Sequence, residues 1–97
     1  MKNVPGLVTH HAGRISIGGT SLQGYVNPTY ARLVEVFGEP MRFADDKVQV
    51  EWNFTIDGQV GAIYDWKSGG RRPETVTEWH VGGTSPAIVA AVRRLLA

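Results

Sequence analysis

Hydrophobic and polar positions alternate most strictly over residues 47–56. There Val48, Val50, Trp52, Phe54 and Ile56 interleave with Lys47, Gln49, Glu51, Asn53 and Thr55. A period of two sends successive side chains to opposite faces, so this segment predicts a strand with one apolar and one polar face. Asp57 and Gly58 follow, a pair suited to a two-residue hairpin turn because both central positions need positive φ. Beyond the turn, Val60, Ala62, Tyr64 and Trp66 read as a continuation of the apolar face. Gly61, Ile63, Asp65 and Lys67 fall on the other side, where Ile63 breaks the pattern. A third strand is expected in "ETVTEWHV", with Trp79 and Val81 on the apolar face and Val76, Glu78 and His80 pointing away.

The period changes to that of a helix in "NPTYARLVEVFGEP". Asn27 is placed to cap it with Pro28 at the first helical position, where the missing N–H costs nothing. Tyr30, Leu33, Val34 and Phe37 then share one face, and Gly38 with Pro40 beyond it supplies the stop. A second helix is predicted after "GGTSP", with Ser85 as cap and Pro86 at the first position. Its stripe is Ile88, Val92 and Leu95, flanked by Val89 and Leu96, and Arg93 and Arg94 suit the negative end of its dipole. "RISI" (residues 14–17) alternates like a short strand, "GGTSLQGYV" reads as a bent connection, and "SGGRRP" as a flexible basic loop. Residues 1–13 read as a loosely ordered arm. The order β-α-β-β-β-α predicts one α+β domain over residues 1–97: a two-layer sandwich in which two amphipathic helices cover an antiparallel meander of three to four strands.

Composition narrows the function classes. The chain is 42% hydrophobic and 20% charged, within the globular range. Ten Lys and Arg against nine Asp and Glu give a net charge of +1, which argues against wholesale nucleic-acid binding. Cysteine is absent, which excludes disulfides, thiolate metal sites and a cysteine nucleophile. No apolar run approaches the roughly 20 residues of a membrane span, and the N-terminal stretch lacks the apolar core of a secretory signal. A cytoplasmic protein with no membrane partner is the expectation.

Several groups could carry chemistry. Glu51, Asn53, Asp65, Lys67, Glu78 and His80 are expected to share the polar sheet face, where carboxylates beside an imidazole could do acid–base work or hold a metal. The same residues are what a solvated outer face carries, and no spacing among them selects a metal geometry. Ile63 and Val76 on that face call for cover, from a partner or from the N-terminal arm. His10 and His11 are adjacent and point apart, so they read as solvated. Gly82, Gly83, Thr84 and Ser85 before a helix could cradle an anion; capping and turning explain the same residues. Gly-Gly-Thr-Ser also occurs at residues 18–21. Arg71 and Arg72 could clamp a phosphate or meet an acidic protein surface, or simply keep a loop soluble. Trp52, Trp66 and Trp79 are all expected in the core by parity, and not on a base-stacking surface.

"LQGYVNPTYARLVEVFGEP", "VEWNFTIDGQVGAIYDWK" and "TEWHVGG" resemble the shared segments of a family of small, largely phage-encoded hypothetical proteins, from about Gly19 to Gly83. The resemblance implies a viral setting and supplies no catalytic residues. A helix ending in "FGEP" before a tryptophan-bearing strand and a "DG" hairpin is also similar to β-lactamase-inhibitor proteins and small outer-membrane assembly lipoproteins. Those are binding modules, but this chain shows neither their signal peptide nor a lipidation cysteine.

The expectation is a non-enzymatic phage accessory protein, without cofactor or metal, that binds and inhibits a host defence or regulatory protein in the infected cell. Arg71, Arg72, Glu51, Asp65, Glu78 and His80 are its expected binding residues. An alternative is a sponge for a small phosphorylated or nucleotide-like signal, held by Gly82, Gly83, Thr84 and Ser85 at the seam of a homodimer. A third reading is a small enzyme using His80 with Glu78 or Asp65.

Overall fold

The computed structural model describes residues 4–44 and 47–97. Residues 1–3 of the expected arm lie outside the described residues. The fold is α+β: a six-stranded antiparallel sheet with two helices. The strands are β1 (Leu7–Thr9), β2 (Ser21–Val26), β3 (Met41–Arg42), β4 (Val50–Ile56), β5 (Gln59–Tyr64) and β6 (Trp79–Gly83). The helices are α1 (Tyr30–Phe37) and α2 (Ala87–Leu96). Across the sheet the order is β1-β4-β5-β6-β2, and β3 pairs with β4 on the same edge as β1.

The hairpin forms where the sequence predicts it. Asp57 and Gly58 both take positive φ, 50° and 83°, and the turn sets Ile56 opposite Gln59. That pairing corrects the reading of β5. Residues directly opposite share a face, so Ile63 joins Trp52, and Gly61 joins Phe54, on the apolar side. Val60, Ala62 and Tyr64 lie on the outer side with Thr55, Asn53 and Glu51. Alternation carried unbroken through the turn gives β5 the wrong phase, because the two-residue turn pairs Ile56 with Gln59. Ile63 is therefore core and needs no cover, and Val76 is buried in the same cluster.

The inner face meets the helices. Val50, Trp52, Phe54, Ile63, Trp79 and Val81 form one cluster with Leu33, Val36 and Phe37 of α1 and Ile88, Val89 and Val92 of α2. The two core tryptophans also fix α1. Trp52 Nε1 donates to the Gly38 carbonyl at 2.6 Å, and Trp79 Nε1 to the Pro28 carbonyl at 3.1 Å, so the indoles satisfy carbonyls at both ends of the helix. The helix starts later than predicted. Thr29 is the cap, its Oγ1 accepting from Arg32 N at 3.1 Å, while Asn27 donates across to the Thr77 carbonyl. Extended backbone at Thr29 (ψ 158°) carries the chain out of β2 before it can coil. Gly38 ends α1 as expected, with its N–H on the Val34 carbonyl at 2.8 Å. Helix α2 lies close over the sheet because Gly61 and Gly83 offer no side chain there. A Cβ on Gly83 would sit 2.6 Å from Ile88 Cγ2, and one on Gly61 2.8 Å from Ile88 Cγ1.

The N-terminal segment differs most from expectation. Residues 7–9 form an edge strand and residues 21–26 the opposite edge strand, whereas residues 14–17 pair with nothing. A chain leaving one edge for the other has to cross the sheet. Residues 13–18 line a cavity with Met41 and Asn53, which face outward, and outward-facing Ala62 is 2% exposed. The segment therefore crosses the outer face, passing beside Met41 and Asn53. Its alternation serves that crossing and not a ladder.

Asp65 is fully buried. Its Oδ1 accepts from Gln49 N (2.8 Å) and Val50 N (3.0 Å), and its Oδ2 from Ser68 Oγ (2.8 Å) and Gln49 Nε2 (3.2 Å). Replacing it with Ala leaves the buried Val50 N–H and the half-buried Gln49 N–H without an acceptor, and urea unfolding is expected to show a loss of about 3 kcal/mol. Gly83→Ala should cost about 1–3 kcal/mol in the same assay by wedging α2 off the sheet.

Candidate functional site

The pairing register builds one continuous row across the outer face. Met41, Glu51, Tyr64, His80 and Tyr25 stand opposite one another on β3, β4, β5, β6 and β2. Two positions beyond Tyr64, Trp66 continues on the same side. His80 is the centre of an aromatic group: its ring centroid lies 4.9 Å from Tyr25 (edge-on), 5.4 Å from Tyr64 and 6.0 Å from Trp66. Tyr25 and Trp66 remain 44% and 42% exposed, with Leu22 and Val8 also open to solvent on this face. Residues 13–18 pass over this face beside Met41 and Asn53, and its Tyr25–His80–Trp66 end is an aromatic surface.

Burial sets the protonation of this row. The pKa of His80 is lowered by burial, with Glu78 opposing, so the neutral ring is favoured. Burial raises Glu51, against a hydrogen bond from the Asn53 side chain, and raises Tyr64, assisted by the charge of Glu51. Burial and the neighbouring His11 lower His10, whose Nε2 bonds the Glu39 carbonyl at 3.1 Å.

Beside the aromatic row, a cavity of about 440 Å³ opens between the loop after β5 and residues 76–78. Trp66, Lys67, Ser68, Gly69 and Arg71 line one wall and Thr77 and Glu78 the other. The loop is not slack. Ser68 Oγ holds Asp65, and Gln49 Nε2 donates to Ser68 Oγ and to the Arg71 carbonyl, both at 2.7 Å. A fully buried carboxylate thus anchors the expected "flexible" loop to the core.

The sequence-predicted residues divide accordingly. Glu51 and His80 share the row with Tyr64 between them, and Arg71 and Glu78 share the cavity next to it. Arg72 turns away, its Nε donating to Glu74 Oε2 at 3.2 Å. Asp65 is not on the outer face at all: it stands opposite Val50, in phase with Ile63, and serves the core. Trp66 is not core, again by the phase of β5. Gly82 and Gly83 lie within β6, paired on both sides with β2 and β5, so their N–H groups belong to the sheet. Ser85 Oγ accepts from Ala87 N at 3.1 Å, the capping arrangement. Tyr25, Tyr64 and Trp66 were missed as surface residues. The two-residue turn was the signal that could have found them, because it fixes which residues of β5 share a face with Glu51 and Asn53.

Among the described residues no group of three His, Asp or Glu gathers as metal ligands, and no helix is long and apolar enough to cross a membrane. The chain matches no family model, no curated protein and no solved structure.

The imidazoles give the fold a pH dependence. Lowered folded pKa values mean that the unfolded chain binds more protons below pH 6.5, so their stabilising contribution is complete above that value and is lost as the pH falls through it. Urea unfolding free energies should therefore drop on acidification below pH 6.5, and His80→Gln should flatten the drop. Glu51, raised, acts with the opposite sign, and comparing His80→Gln with the unaltered chain isolates the imidazole.

Proposed function

We propose that the protein is a non-enzymatic binding module that docks a protein partner on the open half of its outer sheet face. In the phage setting that the sequence resemblance implies, the partner is a host defence or regulatory protein met in the cytoplasm, and docking inhibits it. The observation that carries this reading is the aromatic group around His80, with Tyr25 and Trp66 exposed and Tyr64 half-buried between them. Tyr, Trp and Arg are the side chains that dominate protein interfaces, because they bring large area at low entropic cost. The rim on the loop side carries Lys67 and Arg71 and favours a partner surface with carboxylates there.

Two features favour binding over catalysis. The neighbours of His80 are aromatic rings, and among the described residues no carboxylate or hydroxyl hydrogen-bonds it as an acid–base pair would require. The strands that present the row are paired within the sheet and packed on the core, which suits rigid docking at little ordering cost.

The test is affinity capture from host lysate with the unaltered protein, Tyr25→Ala and Trp66→Ala side by side, each checked for unchanged thermal unfolding. A specific host protein should be retained by the first and lost by the variants, since truncating a central aromatic anchor typically costs about 2 kcal/mol or more, roughly 30-fold in affinity. Retention unaffected by both substitutions would refute the assignment of this face.

A further inference from the structure

We propose that the cavity beside Trp66 is a binding site for a small nucleotide, with the planar ring on Trp66 and the phosphate between Lys67 and Arg71. The inference shares Trp66, Lys67 and Arg71 with the docking surface but rests on the cavity and its anchored loop, so the two fail separately: Tyr25→Ala tests only the docking reading.

Three observations converge. First, the cavity measures about 440 Å³, within the roughly 300–1,000 Å³ range of small-ligand sites and enough for one nucleotide but not a strand. Second, its cations are uncompensated. Among the described residues neither Lys67 nor Arg71 forms an ion pair, although Glu78 lines the same cavity. The Lys67 ammonium instead lies 5.6 Å from the Trp66 ring centroid, a position from which its long stem can swing to a phosphate as a ring takes its place. Gly69 lines the cavity, and among the described residues its N–H makes no backbone hydrogen bond. Third, the loop is fixed in advance. Ser68 donates to the buried Asp65 carboxylate, and Gln49 donates to the Arg71 carbonyl, so a loop of glycines and cations is tied in place beside the cavity. A loop that served only solubility would not need such an anchor, whereas a preorganised anion site does.

Glu78 refines the ligand class. A carboxylate facing two cations disfavours a free polyphosphate and accepts well from sugar hydroxyls or an exocyclic amine. A ring, donor groups and a single phosphate together describe a nucleoside monophosphate.

Isothermal titration calorimetry on the full chain tests this with AMP and GMP, and with adenosine, inorganic phosphate and a short single-stranded oligonucleotide for comparison. At least one monophosphate should bind saturably, and more tightly than adenosine or phosphate. Arg71→Ala and Trp66→Ala should each weaken that binding by about tenfold or more, the scale of losing a charge-assisted phosphate contact or a stacking platform. Arg72→Ala, whose guanidinium faces Glu74, and Tyr25→Ala, which belongs to the docking face alone, should bind as the unaltered protein does. No heat with either monophosphate overturns the proposal, as does binding indifferent to Arg71 and Trp66. Tighter binding of the oligonucleotide overturns it in favour of a strand-binding surface.

Discussion

Two residues, Asp57 and Gly58, hold the rest of the molecule to one arrangement. With both at positive φ the hairpin closes in two residues, and no slack remains for β5 to slide against β4. Every pairing along the hairpin follows: Trp52 meets Ile63, Glu51 meets Tyr64, and Val50 stands against Asp65. A slip of one residue would move Tyr64 and Trp66 under the helices and expose Ile63. It would also strand the Asp65 carboxylate away from the Gln49 and Val50 N–H groups that now satisfy it. The turn and the buried carboxylate therefore enforce the same register from the two ends of the hairpin.

On that frame the aromatic residues take two separate roles. Trp52 and Trp79 lie inside, packed against each other edge-on at 5.5 Å, and spend their N–H groups on the carbonyls that bound α1. Tyr25, Tyr64 and Trp66 lie outside around His80. The helices can approach the inner face closely because Gly61 and Gly83 stand under Ile88. The crossing segment of residues 13–18 runs beside Met41 and Asn53 and leaves Tyr25 and Trp66 exposed.

Trp66 is the hinge between the two surfaces proposed for this chain. Its ring belongs to the aromatic row through His80 and Tyr64, and its far side forms the wall of the cavity with Lys67. A nucleotide on that wall and a protein on the row would compete for the same indole. Occupancy of one surface would then be read by the other without any change of fold, through shared contact alone.

Much of this was legible in local chemistry. The alternation from Val50 to Ile56, the Asp57-Gly58 turn, the helical stripe from Leu33 to Phe37, the Gly38 stop and the Ser85 cap are all set by neighbours in the chain. Period, φ preference and capping need nothing else. Tertiary structure decided which side of β5 faces the helices. Its own residues are ambiguous: Val60, Ala62, Tyr64 and Trp66 are as apolar as an inner face should be, and Ile63 is a single apolar residue among Gly61, Asp65 and Lys67. Only pairing with β4 settles the phase, and it settles it against the hydrophobic count. Asp65 shows why. A carboxylate can face inward when four donors from Gln49, Val50 and Ser68 converge on it, and three of those donors come from a part of the chain about fifteen residues away. Hydrophobicity is a property of one residue and can be read from the sequence; satisfaction of a buried charge is a property of several brought together by the fold.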